Sequence, residues 1–162
     1  MMKGSVLVTG GSRRIGRAIC EMLAARGWRV LVHSRDADNP LRADFAEEGS
    51  AERLFAAAVR TAPDLCAIVN NASEFATAAA LSRQDAARLR RVNAEVPMRL
   101  TELLVTFCAE HQRQGAVVHV LDSRILRQPH RLAQVGSATG CRPPSRGWRR
   151  PTVAGLAPVQ RR

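Results

Sequence analysis

A chain of 162 residues with 46% hydrophobic residues is long and apolar enough for one domain with a buried core, which excludes a disordered chain. The formal net charge of +11 would suggest nucleic acid if it were spread over that domain. It is not: up to Leu126 there are 17 Lys and Arg against 14 acids, whereas from Arg127 onward there are 8 Arg and no acid.

The shift in composition places a boundary there. Residues 1–126 form the folding unit, and residues 127–162, which hold five of the eight prolines and lack apolar periodicity, form an irregular Arg/Pro-rich tail expected to be disordered. The cysteines Cys20, Cys66, Cys108 and Cys141 are far apart and form no Cys-x-x-Cys pair, so neither a zinc site nor a disulfide framework is indicated. No His, Cys, Asp or Glu cluster suggests a metal. The start lacks an apolar leader, and no run approaches the ~18 apolar residues of a membrane span. A soluble, unprocessed cytoplasmic protein is expected.

Val6 to Gly16 reads as a buried strand, a glycine turn and the opening of a helix. Gly10 would turn the chain, small Gly11 and Ser12 would let the backbone approach a pyrophosphate, and Gly16 would let the helix pack close on the strand. The helix N-terminus then faces phosphate with unpaired N–H groups. That helix runs from about Arg14 to Arg26, with Ile15, Ala18, Ile19, Met22 and Leu23 at helical spacing and Gly27 as its stop. Trp28 to His33 is a second strand.

Asp36 to Pro40 is a polar turn, Leu41 to Phe45 a short extended segment, and Ser50 begins a helix carrying Leu54, Phe55, Ala58 and Val59. Asp64 to Asn70 is a buried strand delivering Asn70, Asn71, Ala72 and Ser73 to its carboxyl end. Ser82 caps a helical region reaching about Gln114, with Pro97 kinking it near Asn93 and Gly115 ending it. Ala116 to Leu121 is the last strand, where His119 should point into a packed face and Asp122 and Ser123 follow. The alternation predicts an α/β fold, a Rossmann-type doubly wound parallel sheet, incomplete at about five strands.

These residues resemble the short-chain dehydrogenase/reductase family over roughly Lys3 to Ile125. Thr9-Gly10-Gly11-Ser12-Arg13-Arg14-Ile15-Gly16 is similar to the family's Thr-Gly-x-x-x-Gly-x-Gly turn, with Arg14 in place of the middle glycine. Pteridine reductases carry an arginine there and also read Asn-Asn-Ala-Ser, as Asn70-Asn71-Ala72-Ser73 does here. The resemblance implies an NADP(H) site built from Thr9, Gly10, Ser12, Arg13, Arg14, Ile15, Gly16, Asn71, Ala72 and Ser73. Asp44 would accept the adenine amino group, an Asx turn being its alternative role. Arg14, Ser73 and Phe75 would meet a pterin-like substrate, Asn93 would hold a helix kink and a proton-relay water, and Asp122 would relay a proton, Ser123 being the alternative as the family's commoner active-site serine. Family members form homo-oligomers, for which Leu81 to Gln114 would supply a surface. At the end of the second strand His33, Ser34 and Arg35 stand where NAD-specific relatives place an acid, which suits the 2′-phosphate of NADP(H).

The family's chemistry also depends on a Tyr-x-x-x-Lys pair, and this sequence has no tyrosine and a single lysine, Lys3. Two readings follow: a shortened pseudoenzyme, or a reading frame that slipped near Gln128, which the acid-free tail favours. A third class of reading, nucleic-acid binding through Arg142, Arg146, Arg149 and Arg150 with Trp148, is the least favoured.

Overall fold

The computed structural model describes residues 3–76 and 82–121. Four parallel strands form one sheet in the order β2-β1-β3-β4: β1 Ser5–Val8, β2 Arg29–Val32, β3 Leu65–Asn70 and β4 Ala116–His119. Between them run α1 Arg14–Ala25, α2 Ser50–Thr61, α3 Arg83–Arg90 and α4 Val96–Glu110. Val8 pairs with Val32 on one side and Val69 on the other, and Asn70 pairs with His119. Because β2 and β3 flank β1 on opposite sides, the chain reverses direction of winding at β1. A crevice opens there at the carboxyl ends of the strands.

The sheet is covered on both faces, as a doubly wound sheet requires. Leu7, Leu31, Leu65 and Ile68 pack with Leu54, Phe55, Ala58, Leu100 and Leu104 of α2 and α4. Val6, Val8, Ala67 and Val69 pack with Cys20, Ile19 and Leu23 of α1. The expected apolar face of α1 is therefore corrected. Ile15 and Met22 are 64% and 42% exposed, because the stripe centred on Gly16, Ile19, Cys20 and Leu23 takes the sheet.

The short extended segment does not become a fifth strand. Asn39 Oδ1 and Asp44 Oδ1 accept from the amides of Leu41 and Ala46, and these turns leave it one parallel bridge, Ser34 to Arg42. Four strands, not about five, stand among the described residues. The residue that caps α2 is Gly49, at φ 68°; Ser50 is the first helical residue, and its buried Oγ has no hydrogen-bond partner among the described residues.

Ser82 caps α3 through a reciprocal box with Asp85, Oγ accepting from the Asp85 amide at 3.1 Å and Oδ2 from the Ser82 amide at 3.0 Å. The expected kink before Pro97 is a π-helical turn, Arg91–Glu95. Pro97 cannot donate to the ladder, and the wider turn absorbs the break. The helix ends at Glu110, earlier than Gln114, because Gln112 adopts the left-handed conformation at φ 51°. Gly115 serves a different need: a Cβ there would meet Cys108 Sγ at 2.9 Å.

On β4, the edge strand among the described residues, Val118 is 54% exposed, and Leu121, just beyond the strand, is 69% exposed. His119 is exposed too, 3.5 Å from Thr101 Oγ1, rather than pointing into a packed face. Cys20, Cys66 and Cys108 are free thiols. No helix among the described residues is long and apolar enough to cross a membrane. The boundary near Arg127, the Arg/Pro-rich tail and Asp122 lie outside the described residues.

Candidate functional site

The crevice at the carboxyl ends of β1, β2 and β3 is a cleft of about 570 Å³. Gly10, Ser12, Arg13, Arg14, Ile15 and Gly16 line it from the turn after β1; His33, Ser34, Arg35 and Asp44 line it from beyond β2. Asn71, Ala72, Ser73 and Phe75 come from the loop after β3. Residues scattered through the first half of the sequence are thus gathered on one cavity. Thr9 and Asn93 stand behind its wall.

Thr9 is buried and ties two strand ends together. Its Oγ1 accepts from the amides of Asn71 at 2.9 Å and Ala72 at 3.0 Å, while its hydroxyl donates to the Val69 carbonyl at 3.4 Å. Asn71 answers with Nδ2, which donates to the carbonyls of Thr9 at 3.0 Å and Gly10 at 3.1 Å. Gly16 is demanded by the same approach, since a Cβ there would collide with the Gly10 carbonyl and stand 2.6 Å from Asn71 Nδ2. Gly10 itself sits at φ 64°, with Ala72 Cα 3.0 Å from where its Cβ would be.

The helix that follows is open at its start. Among the described residues no side chain caps the N-terminus of α1, and no acid occupies its first turn, so its N–H groups and positive dipole end face a cleft also lined by Arg13, Arg14 and Arg35. Such a donor set fits a phosphorylated ligand. Arg14 holds a left-handed backbone at φ 49°, a conformation that favours glycine.

His33 has another part than charge. Its Nδ1 accepts from the Gly10 amide at 3.2 Å, its Nε2–H donates to the Ala43 carbonyl at 3.1 Å, and its ring stacks on Phe45 with centroids 4.4 Å apart. Burial pushes its pKa down, and the Arg35 charge adds to that. The neutral ring fixes the glycine turn to the loop that carries Asp44. Charge for an anion rests with the arginines.

A family model described as short chain dehydrogenase matches residues 4–131. The chain belongs to the short-chain dehydrogenase family. A protein of Streptomyces violaceoruber named "Granaticin polyketide synthase putative ketoacyl reductase 2" is 39% identical over 79 residues, which are 41% of this chain and 32% of that protein. The uncharacterized oxidoreductase YgfF of Escherichia coli strain K12 is 33% identical over 103 residues, 53% of this chain and 42% of that protein. The chain therefore spans less than half the length of the two curated relatives it matches. Among solved structures, FolM alternative dihydrofolate reductase 1 of Brucella canis, complexed with NADP, is 30% identical with a TM-score of 0.71. The alignment covers 80% of this chain and 58% of that one.

In this short-chain dehydrogenase chain, Asn93 lies in the π-helical turn and grips the loop after β3. Its Oδ1 accepts from the Glu74 amide and its Nδ2 donates to the Glu74 carbonyl, both at 2.8 Å. Asp44 takes the Asx-turn role, Oδ1 accepting from the Ala46 amide at 2.9 Å, while remaining part of the cleft lining. Phe75 is 58% exposed at the cleft.

Sequence reasoning passed over Ala43, Phe45, Glu74, Val92 and Arg88. Phe45 and Glu74 adjoin the motifs that were singled out, and adjacency was the available signal. Arg88 lies on the side of α3 that carries Gln84 and Asp85, away from the buried Leu89, and nothing in its spacing marks it.

Proposed function

We propose that this chain is the nucleotide-binding part of an NADPH-dependent, pteridine-reductase-like oxidoreductase. The observation that carries the reading is the convergence of the uncapped α1 N-terminus with Arg13, Arg14 and Arg35 on one cleft at the strand reversal. NADP(H), when bound, supplies the hydride. The turn after β1 holds the pyrophosphate, Arg13 or Arg35 with Ser34 takes the 2′-phosphate, and Asp44 and Val92 border the adenine. Arg14, Ser73 and Phe75 then face a planar, pterin-like substrate, and the likeness to the Brucella canis FolM protein supports that choice. Free thiols on the fold suit a reducing cytoplasm.

Turnover is a separate matter from binding. The sequence has no tyrosine, so the phenol that donates a proton in the family pattern has no counterpart in these 162 residues. A missing general acid typically costs about 10² to 10⁴ in rate. The second reading, a nucleotide-binding pseudoenzyme, rests on that observation.

Fluorescence titration of the purified chain with NADPH and NADH tests the first reading. NADPH is expected to bind about tenfold tighter or more, as a charge-assisted phosphate contact is worth roughly 1.5–3 kcal/mol. Equal affinities would overturn it. Oxidation of NADPH with dihydropterins at rates normal for the family would overturn the pseudoenzyme reading.

A further inference from the structure

Two loops line the cleft from strands that do not touch each other, since β1 lies between β2 and β3. The first, after β2, carries Asp44; the second, after β3, carries Ser73, Glu74 and Phe75. Both are gripped by the same stretch of helix. Arg91 Nη1 donates to the Ala46 carbonyl of the first loop at 2.9 Å, and Asn93 holds both backbone groups of Glu74 in the second. Arg88 alone among these reaches both loops. Its Nε lies 2.8 Å from Glu74 Oε2 and its Nη2 lies 3.7 Å from Asp44 Oδ1.

We infer that Arg88 is a positioning residue that couples the adenine-side loop to the substrate-side loop. Glu74 and Asp44 are both acids, and without the guanidinium between them they would repel and part their loops. The planar fork of arginine can hold two carboxylates at once. Arg88 is itself only about a third exposed, its side chain at 38%, so the pair is less screened than one at the open surface. Asp44 keeps its Asx turn with the guanidinium in place, so the strut braces the first loop without consuming the turn that shapes it. Order at one end of the cleft is thereby passed to the other.

The test is amide hydrogen exchange on the full chain carrying Glu74→Gln, Arg88→Met or the control Arg99→Met, whose partners Glu52 and Glu102 lie outside the cleft. Glu74→Gln is conservative, and among the described residues Glu74 makes no hydrogen bond to the first loop. It is nonetheless expected to raise exchange of the Ala46 and Glu47 amides roughly two- to fivefold, and Arg88→Met to raise exchange on both loops together, with Arg99→Met leaving both unchanged. A rise confined to residues 72–76 in Glu74→Gln would overturn the inference.

The second arm rests on the proposed cofactor reading and uses adenosine 2′,5′-bisphosphate, which fills only the adenine end. It should protect residues 72–76 in the unmodified chain and lose that effect in Arg88→Met while still binding. Protection that persists in Arg88→Met would overturn the coupling. Failure of the bisphosphate to bind the unmodified chain would count against the cofactor reading, and the Glu74→Gln exchange in free protein would still decide the strut.

Discussion

Arg13, in the turn after β1, and Asp36, in the loop after β2, form an ion pair of 2.7 Å within the lining of the cleft. Hydrogen bonds from Ser12 and then Ser34 hold the Asp36 carboxyl below the usual carboxylate range, so it is ionised throughout neutral pH. A phosphate arriving at Arg13 must displace an anion already there. On the proposed cofactor reading, Asp36 moderates the preference for NADPH that the neighbouring arginines would create.

Replacing that acid should sharpen the preference. Asp36→Asn is expected to tighten NADPH roughly three- to tenfold and to leave NADH unchanged or weaker, read by fluorescence titration at low salt. Raising the ionic strength should shrink the gain. If Asp36→Asn weakened NADPH, the acid would be a ligand rather than a competitor.

His33 makes stability depend on pH. Burial first, then the Arg35 charge, depress its pKa, and the bond to Ala43 only partly offsets them, so the folded chain keeps the ring neutral where the unfolded chain takes a proton. Its contribution is therefore complete above the unfolded value near 6.5 and is lost as pH falls below it toward the depressed folded value. Urea midpoints should drop between pH 7.5 and 5.5. The His119 ring, partly desolvated beside Thr101 although the residue as a whole is exposed, is lowered in the same direction, so His33→Phe should reduce the slope without abolishing it. A slope unchanged in His33→Phe would refute the assignment.

The sequence made the four strands, their parallel arrangement and the cleft legible because glycine turns, apolar runs and the Asn70–Ser73 cluster are local signals with a fixed relation to a parallel sheet. Gly10 and Gly16 follow from their own spacing, and Thr9 from the likeness of the turn to the family's Thr-Gly-x-x-x-Gly-x-Gly pattern. What stayed hidden depends on tertiary geometry. The ring of His33 could be read from sequence as a charge, but the burial that neutralises it comes from Phe45, twelve residues on, folding over it. In α1, Ile15 and Met22 have the period of a packed stripe, yet the sheet meets the side where Gly16 allows closest approach. Arg88 could not be found at all, since a polar helix face gives no hint of two acids brought to it from elsewhere.

Ser50 offers a gain in stability. A hydroxyl buried without a partner loses its hydration and receives nothing in return, which costs about 1–3 kcal/mol. Alanine fits the same space in α2 and has higher helix propensity. Ser50→Ala should raise the melting temperature by roughly 2–6 °C. A fall would mean that the hydroxyl is satisfied in solution.

Arg14 sets stability against binding at one residue. Its left-handed backbone at φ 49° costs about 1–2 kcal/mol for a residue with a Cβ, whereas glycine takes that conformation freely and loses about 0.5–1 kcal/mol through its greater freedom when unfolded. Arg14→Gly should therefore leave the melting temperature level or raise it by up to about 4 °C. The same change removes a guanidinium from the cleft, and a charge-assisted contact of roughly 1.5–3 kcal/mol predicts NADPH binding at least about tenfold weaker. Arg14→Ala separates the two effects, since it loses the charge but keeps the strained backbone: binding should fall equally with no gain in melting temperature. Arg14→Gly that melts lower while binding NADPH as before would show that the arginine is held there by packing. The opposite pattern means that the strain persists because the cleft needs a cation where the glycine turn would otherwise place none.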